Sequence, residues 1–376
     1  MAAVVMPSAA EPNVSPGLAP HAHYYIPSLD GLRAVSFFIV FLAHAGLDRV
    51  VPGGFGVTVF FFLSGYLITT LMRIEAERSG HVNLKNFYLR RALRILPPFY
   101  IVLVAATLLG ILGFLRGDPP PRMLPVASQA LHVSNYWIAA RGWGGIATGT
   151  GVYWSLAVEE HFYLLFPAAF LLLSRLRLTG RQKAMCFWGV CAVVLAWRCL
   201  VVLGLRARLD RTYLCSDTRV DSILFGCALA VWHNPVLDAD HGWWYTSTRW
   251  RYGLLVSAIG LLLVTFVVRS SVFRETLRYT LQGVALTPVF VAAVRWPHWP
   301  IFRLLNWRPV RFIGTLSYSL YLVHHVALAV VEQHVPLGRA ARAPLALLIS
   351  FAIAWTVYRL VELPCARVRK RLSAAA

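Results

Sequence analysis

Charged residues are scarce in this sequence: they make up 14% of its 376 residues, whereas hydrophobic residues make up 58% and the mean hydropathy is +0.61. A soluble globular protein averages about 25% charged residues, so the composition excludes an ordinary soluble domain. Metal-binding cysteine patterns are also lacking, because the six cysteines form no CxxC pair and no His/Cys group at zinc spacing. Most cysteines lie in apolar stretches, so we expect small core residues and no metal site.

Acidic residues are few as well: 16 Asp and Glu stand against 36 Lys and Arg, which gives a formal net charge of +20. Nucleic-acid-binding proteins also carry such a surplus, but here the basic residues stand mainly between apolar stretches. That distribution is typical of positive-inside membrane topology and of contacts with anionic lipid or a phosphorylated ligand. We therefore expect the lipid bilayer as a partner and no nucleic acid.

Apolar stretches separated by turn residues and charges predict an all-α, polytopic membrane bundle of about ten transmembrane helices. The predicted spans are 29–47, 56–72, 95–115, 152–174, 184–204, 219–233, 252–269, 278–294, 312–332 and 343–362. The distribution of Lys and Arg among the connections predicts that both termini are cytoplasmic. We expect a multi-pass protein of the cell (inner) membrane. Its predicted parts are a disordered cytoplasmic tail (1–25), a transmembrane domain (26–366) and a basic cytoplasmic tail (367–376).

The first predicted span carries Asp30, Arg33 and His44 in an otherwise apolar stretch. His44 follows Arg33 by eleven positions, so both side chains share one helix face, with roughly 20° of drift and about 16 Å along the axis between them. Ionisable residues inside a span are costly and usually mark a pathway or a reaction centre. The structural alternative is that Arg33 snorkels to the inner surface and His44 caps a helix end in water.

The inner loop before the third predicted span carries Arg91 and Arg94, which are spaced i and i+3 on one helical face. An ordinary positive-inside anchor explains such a pair. A cradle for a phosphorylated donor explains it equally well, because arginine forks match phosphate oxygens.

Three later spans carry polar side chains. They are Trp154 and Glu159 on the fourth span, Asp217, Arg219 and Asp221 at the mouth of the sixth, and Tyr318 and His324 on the ninth. Structural alternatives are a satisfied buried network for Glu159, an ion pair for Arg219 and a core position for His324. The topology predicts two polar regions: an inner one with the three arginines, and an outer one with His44, Glu159, the sixth-span residues and His324.

Seven motifs in this order make the chain resemble the bacterial acyltransferase-3 family of integral membrane O-acyltransferases. They are SLDGLRA (28–34), GGFGVTVFFFLSGYLIT (53–69), FYLRRALRILPPFY (87–100), WSLAVEEHFYLLFP (154–167), SDTRVDSILFG (216–226), SYSLYLVHH (317–325) and VELP (361–364). The resemblance covers about residues 25–370. It implies acyl-CoA as co-substrate, a sugar-containing hydroxyl acceptor at the outer side, and no permanently bound cofactor.

The resemblance also implies roles for single residues. His44 matches the histidine that activates the acceptor, and Arg33 matches its arginine partner. The paired arginines of the inner loop are matched by Arg91 and Arg94. Further motif positions are matched by Glu159, Arg219, Asp221 and His324.

Acyl transfer to an alcohol needs a base for the hydroxyl proton, and an imidazole suits that role. We predict His44 as this base, and Glu159 or Asp221 as the group that orients His44 or the acceptor. Because Arg33 is about 16 Å from His44 along the helix, we assign it to the donor together with Arg91 and Arg94. The remaining residues are predicted to bind the acceptor or to support the site; they are Trp154, Asp217, Arg219, Tyr318 and His324.

Two alternatives stay open. A covalent route would use Ser64 or Ser155 as acyl carrier, but neither has a base at a fixed sequence spacing, so direct transfer is favoured. A transporter or flippase of an acyl or sugar substrate would also place polar groups at two depths of a helical bundle. The order of the motifs favours the enzyme, with acetyl as the default acyl group.

Overall fold

The computed structural model describes residues 25–238 and 247–374. These residues form helices joined by short connections, and no strand occurs among them. The predicted all-α fold is confirmed. The tail predicted over 1–25 lies outside the described residues except for its last position, and residues 367–374 belong to the last helix.

The helices are α1 (Pro27–Leu42, continued by a π-helical turn, Ala43–Leu47), α2 (Gly53–Ser79), α3 (Leu84–Ile111), α4 (Met123–Ala130), α5 (Ser134–Arg141), α6 (Trp154–Arg175), α7 (Gly180–Cys199), α8 (Leu209–Leu214), α9 (Ser216–Arg219), α10 (Asp221–Val231), α11 (Thr248–Val267), α12 (Ser271–Glu275), α13 (Leu277–Arg295), α14 (Pro300–Arg303), α15 (Arg308–His334), α16 (Arg339–Val357) and α17 (Leu363–Ala374). Short 3-10 or π-helical turns also occur at Gly151–Tyr153, Leu200–Gly204, Leu304–Asn306 and Tyr358–Glu362.

Within the described ranges, nine helical segments are long and apolar enough to cross a membrane, and they match nine of the ten predicted spans. The chain is therefore a multi-pass membrane protein. The sixth predicted span, 219–233, is instead the eleven-residue helix α10. At 1.5 Å per residue α10 is about 16 Å long, which is too short to cross a hydrocarbon core of about 30 Å alone.

Helix α10 lies in the middle of the bundle, with every residue buried, against α2, α7 and α13. Two glycines bring its backbone onto that of α2. A Cβ atom on Gly226 would lie 2.1 Å from the carbonyl oxygen of Phe62, and one on Gly65 would lie 2.0 Å from that of Ile223. A helix surrounded by protein need not match the thickness of the bilayer, because neighbouring helices satisfy the chain around it.

The connections around α10 extend its path along α2. Arg219 donates to the Thr58 hydroxyl at 3.2 Å, and beyond the other end of α10 Arg73 donates to Asp238 at 2.8 Å. On α2 those two contacts are fifteen residues, or about 22 Å, apart. Residues 219–238 therefore pass through most of the bundle depth and act as a tenth pass.

One end of the bundle contains Arg33 and the other contains His44; we call them the Arg33 end and the His44 end. The first described residue, Tyr25, accepts a hydrogen bond from Arg311 at the Arg33 end, and α17 packs against α3. Which end faces the cytoplasm stays a prediction from the Lys and Arg distribution.

His44 is positioned by the end of α1. The helix widens into the π-helical turn Ala43–Leu47, and Gly46, with φ of 97°, ends it. Glycine adopts this left-handed conformation without the steric cost that a side chain would add. Widened turns of this kind occur frequently at functional sites.

Candidate active site

A cavity of about 270 Å³ opens at the Arg33 end, between α1, α2, α3, α6 and α15. We call it the arginine cavity. Its polar lining is Asp30, Arg33, Ser64, Arg91, Arg94, Ser155, Glu159, Glu160, Tyr163, Tyr318 and Tyr321. The structure thus brings together the three arginines that the sequence assigned to the donor.

The three arginines differ in their partners. Arg33 forms an ion pair with Asp30, one turn earlier on α1, at 2.7 Å. The Arg91 guanidinium lies over the Tyr163 ring, 5.6 Å from its centroid. Neither Arg91 nor Arg94 has an ion pair within the described part of the chain, so both have donors left for a phosphorylated ligand.

Glu159 lies in the arginine cavity, and the structure does not bring it to His44. The Ser64 hydroxyl donates to one carboxylate oxygen at 2.9 Å, and the Tyr163 hydroxyl donates to the other at 3.1 Å. Helix α6 begins with Trp154 at the His44 end, so Glu159 stands about 7.5 Å deeper along it. The expectation that Glu159 orients His44 therefore has no support in these contacts.

His44 is paired with His324. The His44 Nδ1 and His324 Nε2 atoms are 3.0 Å apart, and the His324 Nδ1 atom is 2.8 Å from the backbone carbonyl oxygen of Tyr321. His324 is fully buried. The sequence predicts that the two histidines lie at the same depth, and the structure shows direct contact between them.

These hydrogen bonds assign the tautomers of both rings. A carbonyl oxygen only accepts, so His324 carries its proton on Nδ1 and its Nε2 atom accepts. His44 must then donate from Nδ1, which leaves the lone pair of its Nε2 atom free. A neutral imidazole held in this way has one nitrogen ready to accept a proton.

Two cavities flank His44. The loop cavity, about 330 Å³, is lined by the connection after α5 and by His325; the rim cavity, about 530 Å³, is lined by the ends of α2, α11 and α13. Trp154 and Tyr213 line both. The His325 ring centroid is 4.8 Å from that of His44. His44 is therefore accessible from two sides.

The arginine cavity and the rim cavity meet at two side chains, because Val57 and Tyr321 line both of them. The Tyr321 hydroxyl lies 2.6 Å from the Ser155 hydroxyl oxygen, and its ring packs against Phe60 with centroids 5.9 Å apart. We call Val57, Phe60 and Tyr321 the passage. These side chains stand between the cavity that contains Arg33 and the cavity that contains His44.

Asp221 lies away from all three cavities. It is fully buried and ion-paired with Arg198, with one contact of 2.9 Å to each carboxylate oxygen, and the Thr280 hydroxyl donates to it at 3.0 Å. Its oxygens are occupied by these partners, so the predicted contact with His44 does not occur. The contacts are those of a packing anchor between α7, α10 and α13.

Asp217 also has a structural set of partners, at the rim of the bundle. It accepts from Tyr136 at 2.9 Å, from Trp197 at 2.6 Å and from both ends of the Arg211 guanidinium. Burial raises the pKa of Asp217, but the hydrogen bonds from these partners outweigh burial and hold the pKa below its ordinary value. The carboxylate ties α5, α7 and α8 together and lines none of the three cavities.

Arg219 is fully buried behind the wall of the rim cavity. Its guanidinium lies 3.9 Å from the centroid of the Tyr279 ring and also faces the Trp154 and Tyr213 rings, at 5.8 Å and 5.5 Å. These three rings line the rim cavity, whereas Arg219 does not. A cation held against aromatic faces fixes the rings, so the geometry gives Arg219 a supporting place and no contact with an acceptor.

The other two predicted supporting residues lie at opposite ends of the bundle: Trp154 at the His44 end and Tyr318 at the Arg33 end. Trp154 lines both cavities beside His44. Tyr318 belongs to the arginine cavity, and its hydroxyl donates to the Ile95 carbonyl at 2.8 Å. The prediction omitted Tyr321 and His325, although both stand in the SYSLYLVHH motif, because spacing alone does not show which faces of α15 are covered.

The chain is similar to known acyltransferases. The model of the acyltransferase-3 family, described as an acyltransferase domain, matches residues 26–359. The peptidoglycan O-acetyltransferase OatA of Listeria monocytogenes is 28% identical over 367 residues, which are 92% of this chain and 56% of that protein. A protein of Staphylococcus aureus strain COL, provisionally named an O-acetyltransferase, is 30% identical over 359 residues, 90% of this chain and 57% of that protein.

A third relative, YrhL of Bacillus subtilis, provisionally named a peptidoglycan O-acetyltransferase, is 28% identical over 363 residues, 91% of this chain and 55% of that protein. The chain thus spans little more than half the length of the curated relatives it matches. No solved structure matches it.

Proposed function

The chain belongs to the acyltransferase-3 family of membrane acyltransferases, and from this premise we propose a specific reaction. An acyl group, acetyl by default, moves from cytoplasmic acyl-CoA at the arginine cavity to a hydroxyl of a sugar-containing acceptor beside His44. The names of the Listeria and Bacillus relatives favour a peptidoglycan-type glycan as that acceptor. The proposed location is the inner cell membrane, with the His44 end outward.

The observation that carries the proposal is the His44–His324 pair, in which His44 lines both the loop cavity and the rim cavity. The acceptor oxygen attacks the thioester carbonyl carbon, and the His44 Nε2 atom takes the hydroxyl proton. The carbon–sulfur bond then breaks, and the leaving CoA thiolate takes that proton from the His44 Nε2 atom, which returns the imidazole to its neutral form. Throughout, the Nδ1–H bond to His324 holds the ring in the tautomer that can accept.

The donor enters from the Arg33 end. Arg91 and Arg94 retain free donors for CoA phosphates, and Arg33 lies deeper on α1 beside Asp30. The arginine cavity is about 270 Å³, below the range of roughly 300–1,000 Å³ of pockets that enclose drug-sized ligands. We therefore place only the pantetheine arm of CoA inside this cavity. In the proposal the arm extends through the passage and covers the distance of about 16 Å between Arg33 and His44.

A covalent carrier remains the alternative route, and Ser64 now has a candidate base. Its hydroxyl donates to Glu159 at 2.9 Å, a pairing that sequence spacing did not reveal. Ser64 lies in the arginine cavity and His44 does not, so an acyl-Ser64 would still need a second movement. Intact-protein mass spectrometry after acetyl-CoA alone decides: direct transfer predicts no added acetyl mass, and an adduct lost in Ser64→Ala contradicts it.

The main test compares His44→Ala with His334→Ala in purified, detergent-solubilised protein. His334 is an imidazole near the end of α15 that lines none of the three cavities, and it makes a matched control. Loss of a general base lowers kcat by about 10²–10⁴-fold, whereas the control keeps its turnover. Release of free CoA with an oligosaccharide acceptor is the measurement.

Two results would count against the proposal. Near-normal turnover in His44→Ala would remove the base assignment. A wild-type protein that consumes no acetyl-CoA with any glycan acceptor would favour the competing class, a transporter or flippase.

A further inference from the structure

The rim cavity carries an excess of positive charge that the transfer chemistry does not use. Four arginines line it, Arg49, Arg269, Arg274 and Arg278, against two acidic residues. In a concave site lined by one sign of charge, the field concentrates ligands of the opposite sign. The surplus therefore points to an anionic group bound near His44.

The acidic residues neutralise this cluster only in part, because two acids stand against four arginines. Glu275 accepts from Thr212 at 2.6 Å and is 3.9 Å from Arg278. The Arg278 Nε atom is buried and has no hydrogen-bond partner among the described residues. The Arg274 guanidinium has no hydrogen bond or ion pair with any residue that the structure describes. Arg274 is exposed to the cavity, so its donors are open to a ligand. A buried donor without a partner is costly, and a bound anion would satisfy the Arg278 Nε atom as well.

The same cavity offers apolar faces for a sugar. Trp154, Tyr213, Phe266 and Tyr279 line it beside the arginines and His44. Aromatic rings supply flat apolar surface with a polar edge, and pockets of this composition bind ligands that have both kinds of surface. The arginines lie at the His44 end: Arg49 follows α1, Arg269 follows α11, Arg274 is on α12 and Arg278 is in the first turn of α13.

From these observations we infer that the acceptor is a sugar carried on a lipid pyrophosphate, with the pyrophosphate among Arg269, Arg274 and Arg278. One arginine is enough to pair with a single carboxylate. A surplus of two positive charges fits a doubly charged phosphoryl group, whose oxygens match arginine forks. This inference rests on the proposed function, and it selects a lipid-linked precursor over the mature glycan polymer.

The test measures binding without any acyl donor, so that it does not depend on turnover. Farnesyl pyrophosphate, farnesol and oleate are titrated into the full chain in phosphatidylcholine nanodiscs by calorimetry. We expect farnesyl pyrophosphate to bind at least tenfold more tightly than either of the others. Equal affinities for farnesyl pyrophosphate and farnesol would overturn the inference, and tighter binding of oleate would replace the pyrophosphate by a carboxylate.

The variant is Arg274→Gln, and its matched control is Arg208→Gln. Arg208 is an exposed arginine before α8 that lines none of the three cavities. We expect Arg274→Gln to weaken farnesyl pyrophosphate binding about tenfold, Arg274→Lys to weaken it less, and the control to change it less than twofold. Equal losses in Arg274→Gln and Arg208→Gln overturn the inference. So does a difference seen only in phosphatidylglycerol nanodiscs, since that would mean attraction to lipid head groups.

Turnover separates the two proposals. With acetyl-CoA, we expect a prenyl-pyrophosphoryl N-acetylglucosamine to be acetylated with at least tenfold higher kcat/KM than the octyl glycoside of the same sugar. Equal kcat/KM values would overturn the inference and leave the proposed function intact. Tight pyrophosphate binding without acetyl transfer to either sugar would remove the proposed function instead.

Discussion

The two ends of this bundle differ in how their charges are balanced. In the arginine cavity, three arginines face three carboxylates, Asp30, Glu159 and Glu160, and two of those carboxylates have close partners. In the rim cavity, four arginines face two acids. A balanced cavity attracts an anion weakly and releases it readily, whereas an unbalanced one retains it. The comparison suits a donor that must leave after each turnover and an acceptor that must be held in place.

The His44–His324 pair gives the sharpest test of this comparison, because it is the group at the His44 end that we propose takes part in proton transfer. His324→Phe removes the acceptor of the His44 Nδ1 proton, so we expect about a 100-fold loss of kcat, within the range for general-base catalysis. His324→Gln keeps an oxygen that can accept the His44 Nδ1 proton, so this variant should retain most of the wild-type kcat. Steady-state kinetics of both variants, with KM for the acceptor unchanged, check this; equal losses would mean that His324 only packs.

The donor side of the comparison is tested at Arg91 and Arg94. If they hold CoA phosphates, the double variant Arg91→Gln/Arg94→Gln should raise KM for acetyl-CoA by at least about 100-fold, because each of two charge-assisted hydrogen bonds contributes about 1.5–3 kcal/mol and about 1.4 kcal/mol is tenfold. KM for the glycan should stay within twofold. A rise in the glycan KM of the same size would show that the two ends are not specialised.

The passage between the ends is tested at Tyr321. Replacing it by Trp adds volume where the arginine and rim cavities meet, and we expect about a tenfold lower kcat while acetyl-CoA binding is retained. Tyr321→Phe removes only the hydroxyl contact with Ser155 and should change kcat less than threefold. Unchanged turnover in Tyr321→Trp would mean that the acyl group takes another path.

The smallest expected effect is that of replacing Asp217, which should change the stability of the fold and not the turnover. Its pKa lies below the unfolded value of about 3.9, so its stabilising contribution is present above that value and is lost as pH falls through the folded pKa. Asp217→Asn should lower Tm by a few °C at pH 7, and the difference should narrow below about pH 4. Thermal unfolding across pH measures the difference, with the partly exposed Asp210→Asn as control. A pH-independent difference would contradict the linkage.

Much of the fold and part of the site could be predicted from the sequence. Hydropathy predicts ten spans, and nine of them match long apolar helices, because such helices have to match the thickness of the bilayer. Hydropathy does not report which helices are covered by protein, so the short α10 is predicted as an ordinary span. Helix geometry alone predicts that Arg33 and His44 share one helix face, because both residues stand on the same helix.

The rest depended on contacts between helices that one sequence does not reveal. Glu159 was predicted at the depth of His44, but the depth and rotation of α6 depend on its packing against α2, where Ser64 meets it. Asp221 was predicted to orient His44, yet its partner is Arg198 on α7. His324 was recognised as a candidate, but its hydrogen bond to His44 required the packing of α1 against α15.

Tyr321 on α15 makes two separate contacts, one with its side chain and one with its backbone. Its side chain stands at the passage, and its backbone carbonyl holds the ring of His324 and, through it, the proton acceptor. Any rotation of this turn of α15 that admits a bulkier thioester would also disturb the His44 nitrogen that we propose takes the proton. Selection for longer acyl chains would therefore have to act on Val57 or Phe60, on α2, where the opening can widen while the imidazoles keep their alignment.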